Sequence, residues 1–245
     1  LYPDLFGSTL SSRHPDWSKY WNSSSLYQLV FDSICEKRVL EEIFEMNLNR
    51  TSNEQETILK FLKEIQSYSP LEDHSEKALA NICFTQKVGK NEVLQEIGKT
   101  CKTIYFVMEG SARIFYLKDG LEITEYFAFK NDLIVRAESL FKSLPSNKGI
   151  VSIEETLFVG IPSNALFSLF DEFHDIERLF RILIQSVYLE TIKRLESIQF
   201  QTAEERYKGL LENHPEFIQK IPLKHIASYL GITQVSLSRI RAGIS

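Results

Sequence analysis

Hydrophobic residues near the start of the chain recur every three or four positions, which is the spacing of an amphipathic helix. One run extends from Leu26 to Phe44, after a leader rich in Pro, Gly and Ser that has little periodic pattern. The residues that share one face of a second predicted helix are Ile58, Leu59, Leu62 and Ile65. This second helix should end at about Ser67, before Pro70. We expect residues 1–54 to form an N-terminal helical extension whose role is packing.

Between Asn81 and Pro162 the hydrophobic period shortens toward two, which indicates β-strands. The predicted strands lie at residues 82–88, 92–97, 103–108, 112–117, 122–129 and 150–161. Glycines separate several of them, and the Asp119-Gly120 pair favours a tight hairpin because glycine accepts a positive φ. Short strands with glycine corners predict an antiparallel, sandwich-like or barrel-like domain over residues 55–162.

The helical spacing returns after Pro162 and continues as far as Phe200. The residues that alternate steps of three and four are Leu166, Leu169, Phe173, Ile176, Phe180, Leu183 and Val187. Ser163 is a predicted N-cap, and because no Pro or Gly follows up to Phe200, one helix about 55 Å long is expected. A heptad seam predicts a homodimer through residues 163–200, and packing of this helix on its own β domain is the alternative.

The last part of the chain has the layout of a helix-turn-helix. Ala227 is small where a second helix must cross closely, and Gly231 suits the left-handed conformation of the turn. Leu237 then seals the second helix against the first. The predicted N-caps are Thr233 for the second helix and Thr202 for a short helix that precedes the motif.

The outer face of this predicted helix pair carries residue types that contact DNA. The candidates are Lys224, Thr233, Gln234, Ser236, Ser238, Arg239 and Arg241. Glutamine can pair bidentately with adenine and arginine with guanine, so we expect Gln234, Ser236 and Arg239 to read bases. Lys224 and Arg241 should mainly contact phosphate. An ordinary helical hairpin with a basic exposed face is the alternative.

Charge supports the DNA-binding interpretation. From Lys220 to Ser245 there are four Lys or Arg residues and no acid, whereas the whole chain has a net charge of -5. A basic end on an acidic protein is expected of a module that contacts phosphates.

The composition excludes several other classes. No run approaches the ~18 apolar residues of a membrane-spanning helix, and the first 30 residues contain no signal-peptide core. Cys35, Cys83 and Cys101 are too scattered for a disulfide framework or an iron–sulfur ligand set, so we expect a cytoplasmic protein without a cofactor. A lone histidine such as His74 is far more often a surface or core residue than a haem ligand. Nucleotide-loop, zinc-protease and serine-hydrolase motifs are lacking, and we expect no enzyme.

The order of these parts resembles the Crp/Fnr family of bacterial transcription regulators. The stretches that carry the resemblance are residues 88–94, 104–115, 226–233 and 237–240. The resemblance implies an α+β fold in three parts: an antiparallel cyclic-nucleotide-binding-like β-roll (a double-stranded β-helix) at 55–162, a long dimerisation helix at 163–200 and a helix-turn-helix domain at 201–245. Arg239 matches the second of the family's two usual base-contacting arginines. Gln234-Val235 replaces the usual Arg-Glu pair, so the family's best-known operator should not be assumed.

The effector pocket departs further from the family pattern. Cyclic-AMP sensors in the family hold the ribose with a Gly-Glu pair and the phosphate with an Arg-Ser or Arg-Thr pair. Alignment on Pro145 puts Ser146-Asn147 at the Arg-Ser position. It puts either Arg136-Ala137 or Val135-Arg136 at the Gly-Glu position. The candidate pocket residues are Arg136, Glu138, Ser146, Asn147 and Lys148. Without an arginine at the phosphate, Lys148 substitutes only partly, and we expect no tight cyclic-AMP binding.

Together these features predict a sequence-specific DNA-binding transcription regulator, a homodimer that reads an inverted repeat through the major groove. The resemblance also implies RNA polymerase as a partner, and no membrane contact is expected. A ligand- or partner-binding signalling protein, with a β-roll and a non-functional helix-turn-helix, is the alternative. The sequence stops close behind the second helix, without the β-hairpin wing of many relatives, which keeps this alternative open.

Overall fold

The computed structural model describes residues 50–244, and its first element is the predicted helix α1, Ser52–Gln66. Thr51 and Glu54 form a capping box, in which each side chain bonds the other residue's backbone amide. The buried face consists of Thr57, Ile58, Phe61, Leu62 and Ile65. Leu59 was wrongly placed on this face, because its side chain points to solvent while Phe61 takes the inner position. The helix predicted from Leu26 lies outside the described residues.

A second helix, α2, spans Asp73–Ile82 and was not predicted. Ile82, which was predicted to begin the first strand, is the last residue of this helix, and the strand begins at Phe84 instead. Its carboxyl end is followed by Cys83, whose extended backbone starts the passage into the sheet. The short apolar run around Ile82 fits a strand or a helix equally well, and packing of Leu79 and Ile82 in the core decides for the helix.

The strands form an antiparallel β-roll of two four-stranded sheets. Their bounds are β1 Phe84–Val88, β2 Val93–Gln95, β3 Thr103–Glu109, β4 Ala112–Lys118, β5 Leu121–Ala128, β6 Leu133–Ile134, β7 Lys148–Ser152 and β8 Thr156–Pro162. Within the described residues, one sheet has the order β1-β8-β3-β6 and the other β2-β7-β4-β5. A short helix, α3, Ala137–Lys142, lies between β6 and β7. The predicted α+β class with an antiparallel β-roll is confirmed.

The hairpin between β4 and β5 has the predicted turn. Asp119 and Gly120 both have positive φ, 52° and 75°, and Lys118 pairs with Leu121 across them. Two central residues with positive φ define the turn whose twist matches that of the flanking strands. The predicted Asp119-Gly120 hairpin is confirmed.

The single strand predicted at 150–161 is wrong. The chain forms β7 and β8 instead, and these strands belong to different sheets. Residues 153–155 make the crossing, where the Thr156 hydroxyl donates to the carbonyls of Ser111 and Glu154 at 2.9 Å. Gly110 permits this close approach, because a Cβ there would lie 2.6 Å from the Glu155 carbonyl oxygen.

A β-bulge interrupts the pairing of β4 with β5. Phe115 pairs with Thr124 and Ile114 pairs with Tyr126, so Glu125 is an extra residue without a partner on β4. A bulge of this kind bends its strand and re-aims the side chain of the extra residue.

The single helix predicted from Ser163 to Phe200 is also wrong. Two helices occupy this region, α4, Ser163–Glu172, and α5, His174–Phe200. They break at Phe173, whose φ of -127° and ψ of 92° leave the helical region. The break lets Asp175 accept hydrogen bonds from the Glu72 amide and the Ser75 hydroxyl of α2. The predicted Ser163 cap is not formed, since Pro162 occupies the N-cap position.

Four helices complete the described chain: α6 Ala203–Asn213, α7 Pro215–Lys220, α8 Leu223–Leu230 and α9 Gln234–Ile244. The predicted cap at Thr202 is confirmed, and it forms a capping box with Glu205. One core cluster joins these helices to the roll, with Phe127 and Phe129 from the roll packing against Ile226 and Leu230. No helix among residues 50–244 combines the length and apolar character needed to cross a bilayer.

Candidate functional site

The turn between α8 and α9 has the geometry that the sequence predicts. Gly231 has a φ of 70°, and the Ile232 amide donates to the Ala227 carbonyl at 3.0 Å, which closes the end of α8. Ala227 and Leu237 are buried where the two helices meet. The Thr233 hydroxyl accepts a hydrogen bond from the Ser236 amide at 3.1 Å, as predicted for an N-cap.

The outer face of α9 is exposed and polar. Gln234, Ser238 and Arg239 lie in solvent, and the Val235 side chain between them is 62% exposed. Ser238 donates its hydroxyl to the Gln234 carbonyl, so its oxygen remains able to accept a bond. The Ser236 hydroxyl is half-buried and shares a hydrogen bond with the Thr233 hydroxyl. Arg241, further along the same helix, is also exposed, so α9 presents two arginines, an amide, a hydroxyl and a methyl-bearing side chain to solvent.

Two arginines from other helices hold the end of α8. Arg194 of α5 donates to the Tyr229 carbonyl and stacks over the Tyr229 ring, with 3.7 Å from its guanidinium carbon to the ring centroid. Arg206 of α6 donates to the Leu230 carbonyl at 2.7 Å. Carbonyls in the last turn of a helix lack partners within the helix, and cations favour that end of its dipole. Burial raises the pKa of the Tyr229 phenol beneath Arg194.

Strand β5 holds the other side of α8. The Thr124 amide donates to the Ser228 hydroxyl at 3.1 Å, and that hydroxyl donates to the His225 carbonyl at 3.0 Å. The Phe127 and Tyr229 rings are 5.0 Å apart between centroids. The orientation of α9 is thus tied to the β-roll through α8.

A cleft of about 430 Å³ lies between α8 and the outer face of the roll. Lys224 and His225 line it from α8, with Arg113 and Glu122 opposite. Arg113 is buried, pairs with Glu122 and lies 4.5 Å from the centroid of the Phe115 ring. Burial, with smaller contributions from Arg113 and Lys224, lowers the pKa of His225 to about 4. His225 is therefore uncharged at neutral pH, and Lys224 is exposed.

The five predicted pocket residues are only partly brought together. Ser146 is buried, and its hydroxyl accepts from the Lys148 amide at 3.2 Å and donates to the Lys148 carbonyl at 3.0 Å. Glu138 is exposed and pairs with Lys142 one helical turn away, at 3.6 Å. Asn147 is exposed in the loop that follows Ser146. The Ser146 hydroxyl is therefore engaged with its own loop.

Arg136 and Lys148 do converge, on a carboxylate that the sequence did not single out. Glu125 accepts a hydrogen bond from Arg136 Nη1 at 3.4 Å and a second from Lys148 Nζ. A regular strand pattern cannot reveal this residue, because the β5 bulge sets its direction. Its charge within an otherwise alternating strand is the one signal that the sequence offers.

Comparison with known families and structures agrees with this geometry. The family model for the cyclic nucleotide-binding domain matches residues 85–173. No curated protein has a matching sequence.

Three solved structures share the fold. FixK2 from Bradyrhizobium japonicum is 17% identical, with a TM-score of 0.56 over 66% of this chain and 84% of that one. CLP from Xanthomonas campestris, described as a c-di-GMP-responsive global regulator, is 13% identical, with a TM-score of 0.57 over 71% and 91%. A chain from Eubacterium rectale assigned to the Crp/Fnr family is 20% identical, with a TM-score of 0.58 over 73% and 85%. Residues 85–173 therefore match the cyclic nucleotide-binding domain model, and the described chain shares the fold of these three structures.

Proposed function

We propose that the chain is a sequence-specific DNA-binding transcription regulator that acts as a homodimer. The observation that carries this proposal is the α8–α9 pair, a helix-turn-helix in which Leu237 is buried while Gln234, Ser238 and Arg239 of the same helix face solvent. A helix of this kind fits the major groove, where polar side chains read base edges. The solved structures with this fold include chains described as regulators, which supports the same role.

The contacts to DNA divide by chemistry. Arg239 pairs with a guanine, Gln234 with an adenine, and Ser236 makes a further contact to a base edge. Thr233 and Ser238 lie beside them at the start of α9 and in its second turn. Lys224 and Arg241 contact phosphates on either side and set the position of the helix. Arg194 and Arg206 hold α8, so the reading helix enters the groove at a fixed angle.

The exposed surface of α5 supports dimerisation. The first part of the predicted seam is used within the chain, because Leu166, Ile176, Phe180 and Leu183 belong to the core between the helices and the roll. Beyond Leu183 the large apolar residues in solvent are Tyr188, Leu189, Leu195, Ile198 and Phe200. Tyr188, Leu195 and Ile198 are spaced by seven and three positions, which places them on one stripe of the helix. A second copy that covers this stripe sets two α9 helices about 34 Å apart on an inverted repeat.

Salt-dependent retention on mixed-sequence DNA tests whether the helix pair binds nucleic acid. The slope of the logarithm of the binding constant against the logarithm of the salt concentration should become shallower by about one for each phosphate contact that is lost. The double variant Lys224→Ala/Arg241→Ala should therefore elute at lower salt, with a slope shallower by about two. The matched control is Lys60→Ala/Lys63→Ala, which removes two exposed lysines of α1. Equal retention of both double variants would favour the signalling alternative with a non-functional helix-turn-helix.

A further inference from the structure

The most unusual charge arrangement in the roll is a carboxylate held between two cations. Glu125 stands at the β5 bulge, and each of its two oxygens accepts from a different cation, Oε1 from Lys148 and Oε2 from Arg136. The side chains are 36% exposed for Glu125, 14% for Arg136 and 25% for Lys148. Partial burial reduces solvent screening, so the three charges act on one another more strongly than a surface pair does.

The three residues come from separate parts of the roll. Glu125 is contributed by β5, Arg136 by the residue before α3, and Lys148 by the first position of β7. Without the bulge, alternation along β5 would turn residue 125 toward the opposite face from Tyr126, where the Phe127 ring contacts Tyr229 of α8. The bulge therefore gives Glu125 its place between the two cations.

The polar groups around this cluster are already paired. The Ser139 hydroxyl accepts from the Cys101 amide and donates to the Leu144 carbonyl, both at 2.7 Å. The Ser146 hydroxyl is bonded to the Lys148 backbone. Arg136 Nε is buried and has no hydrogen-bond partner in the described part of the chain. Arg136 and Lys148 could together hold an anion, and we call this cluster the anion cradle. Its two cations are already neutralised by Glu125, and Arg136 Nε is its one buried donor without a partner among the described residues.

We propose that Glu125 is the pocket's own anion and closes the β-roll to anionic effectors. Its carboxylate already pairs with Arg136 and Lys148, the two cations that an anionic ligand would otherwise find unpaired there. An incoming phosphate meets a like charge and must displace a carboxylate tethered at high local concentration. Within the proposed function, the regulator then holds its effector domain in one state without a phosphate ligand.

The charge-removing variant Glu125→Gln tests this proposal. Calorimetry is performed on the full chain, without DNA, with cyclic AMP, cyclic GMP and inorganic phosphate as probes. The wild-type protein should bind these anions only weakly, at the limit of detection. Glu125→Gln leaves Arg136 and Lys148 without a counter-charge, and the affinity for at least one probe should rise by at least about thirtyfold.

The matched control is Glu122→Gln, on the same strand, which removes the partner of Arg113 outside the cradle. It should leave the pocket closed to all three anions. Wild-type binding as tight as that of Glu125→Gln, or no gain in Glu125→Gln over Glu122→Gln, would overturn the proposal. If Glu125→Gln does not fold, Glu125→Asp, which draws the carboxylate back by one methylene, should give a smaller gain, and no gain would again overturn it. Because the readout needs no DNA, failure here leaves the DNA-binding proposal standing.

Discussion

The guanidinium of Arg194 on α5 stacks over the ring of Tyr229 on α8 and donates to the carbonyl of that same residue. One side chain therefore satisfies an end carbonyl of the helix and covers an aromatic face. It also connects the helix that carries the exposed apolar stripe to the helix that supports α9. If α5 or α8 moves, either the other helix moves with it or the contact between Arg194 and Tyr229 breaks.

Arg194→Ala should destabilise the helix pair. A cation–π contact contributes about 0.5–2 kcal/mol and a charged hydrogen bond about 1.5–3 kcal/mol, and the two share one side chain. We expect a loss of about 2 kcal/mol in the free energy of unfolding, with faster amide exchange in residues 223–230. Lys193→Ala is the control, since Lys193 is exposed and pairs with Glu190. Equal stabilities of the two variants would show that the Arg194 contacts do not stabilise the helix pair.

Arg239→Ala should relax specificity at one base pair of each half-site and cost about 1–3 kcal/mol of binding free energy on the preferred sequence. Binding is measured on the best site and on the same site with one base pair changed at a time. Lys224→Ala is the comparison, because loss of a phosphate contact should weaken binding to all sequences alike. If Arg239→Ala weakens every sequence equally, Arg239 contacts phosphate instead.

Leu195→Glu should prevent dimerisation through α5. The Leu195 side chain is 50% exposed in the single chain and lies on the apolar stripe, so a carboxylate there faces its own copy across a two-fold axis. Sedimentation should show the variant as a monomer under conditions in which the wild-type protein is a dimer. Lys193→Glu introduces the same group on the opposite side of the helix and should leave the dimer intact. If the Leu195→Glu variant is still a dimer, the dimer interface lies elsewhere on the protein.

Acid should weaken the contact of α8 with the roll through His225. Burial first, and then the charges of Arg113 and Lys224, lower the pKa of this imidazole to about 4, while Glu122 acts in the opposite direction. The unfolded chain therefore takes up the proton first as the pH falls through 6.5, so stability is full above 6.5 and is lost progressively toward 4. The free energy of unfolding of wild type minus that of His225→Gln should fall between pH 7 and pH 5. A difference that stays constant between pH 7 and pH 5 would contradict this account.

Local signals in the sequence predict much of this fold. Asp119-Gly120, Gly231 and the caps at Thr202 and Thr233 each depend on a few neighbouring residues, and each forms as expected. The hydrophobic period likewise predicts β2, β3, β4 and β5, whereas the two-residue strand β6 was not predicted.

The features that escape prediction depend on contacts between distant segments. The break at Phe173 goes together with the bonds of Asp175 to the start of α2, which is about a hundred residues earlier in the chain. The split of β7 from β8 requires the Thr156–Ser111 contact. Glu125 reaches Arg136 and Lys148 from a bulge that shifts the register of β5 by one residue. None of these contacts affects the hydrophobic periodicity of the sequence, so periodicity cannot predict them.

Selection of bound sequences from a random DNA pool, with the purified protein at moderate salt, tests the central claim most directly. A dimer that presents two α9 helices should enrich an inverted repeat with half-site centres about 10 base pairs apart. Arg239→Ala, selected in parallel, should lose preference at one position of each half-site and keep the spacing. A pool that stays random after repeated rounds would contradict the account, as would enrichment of a single half-site without symmetry.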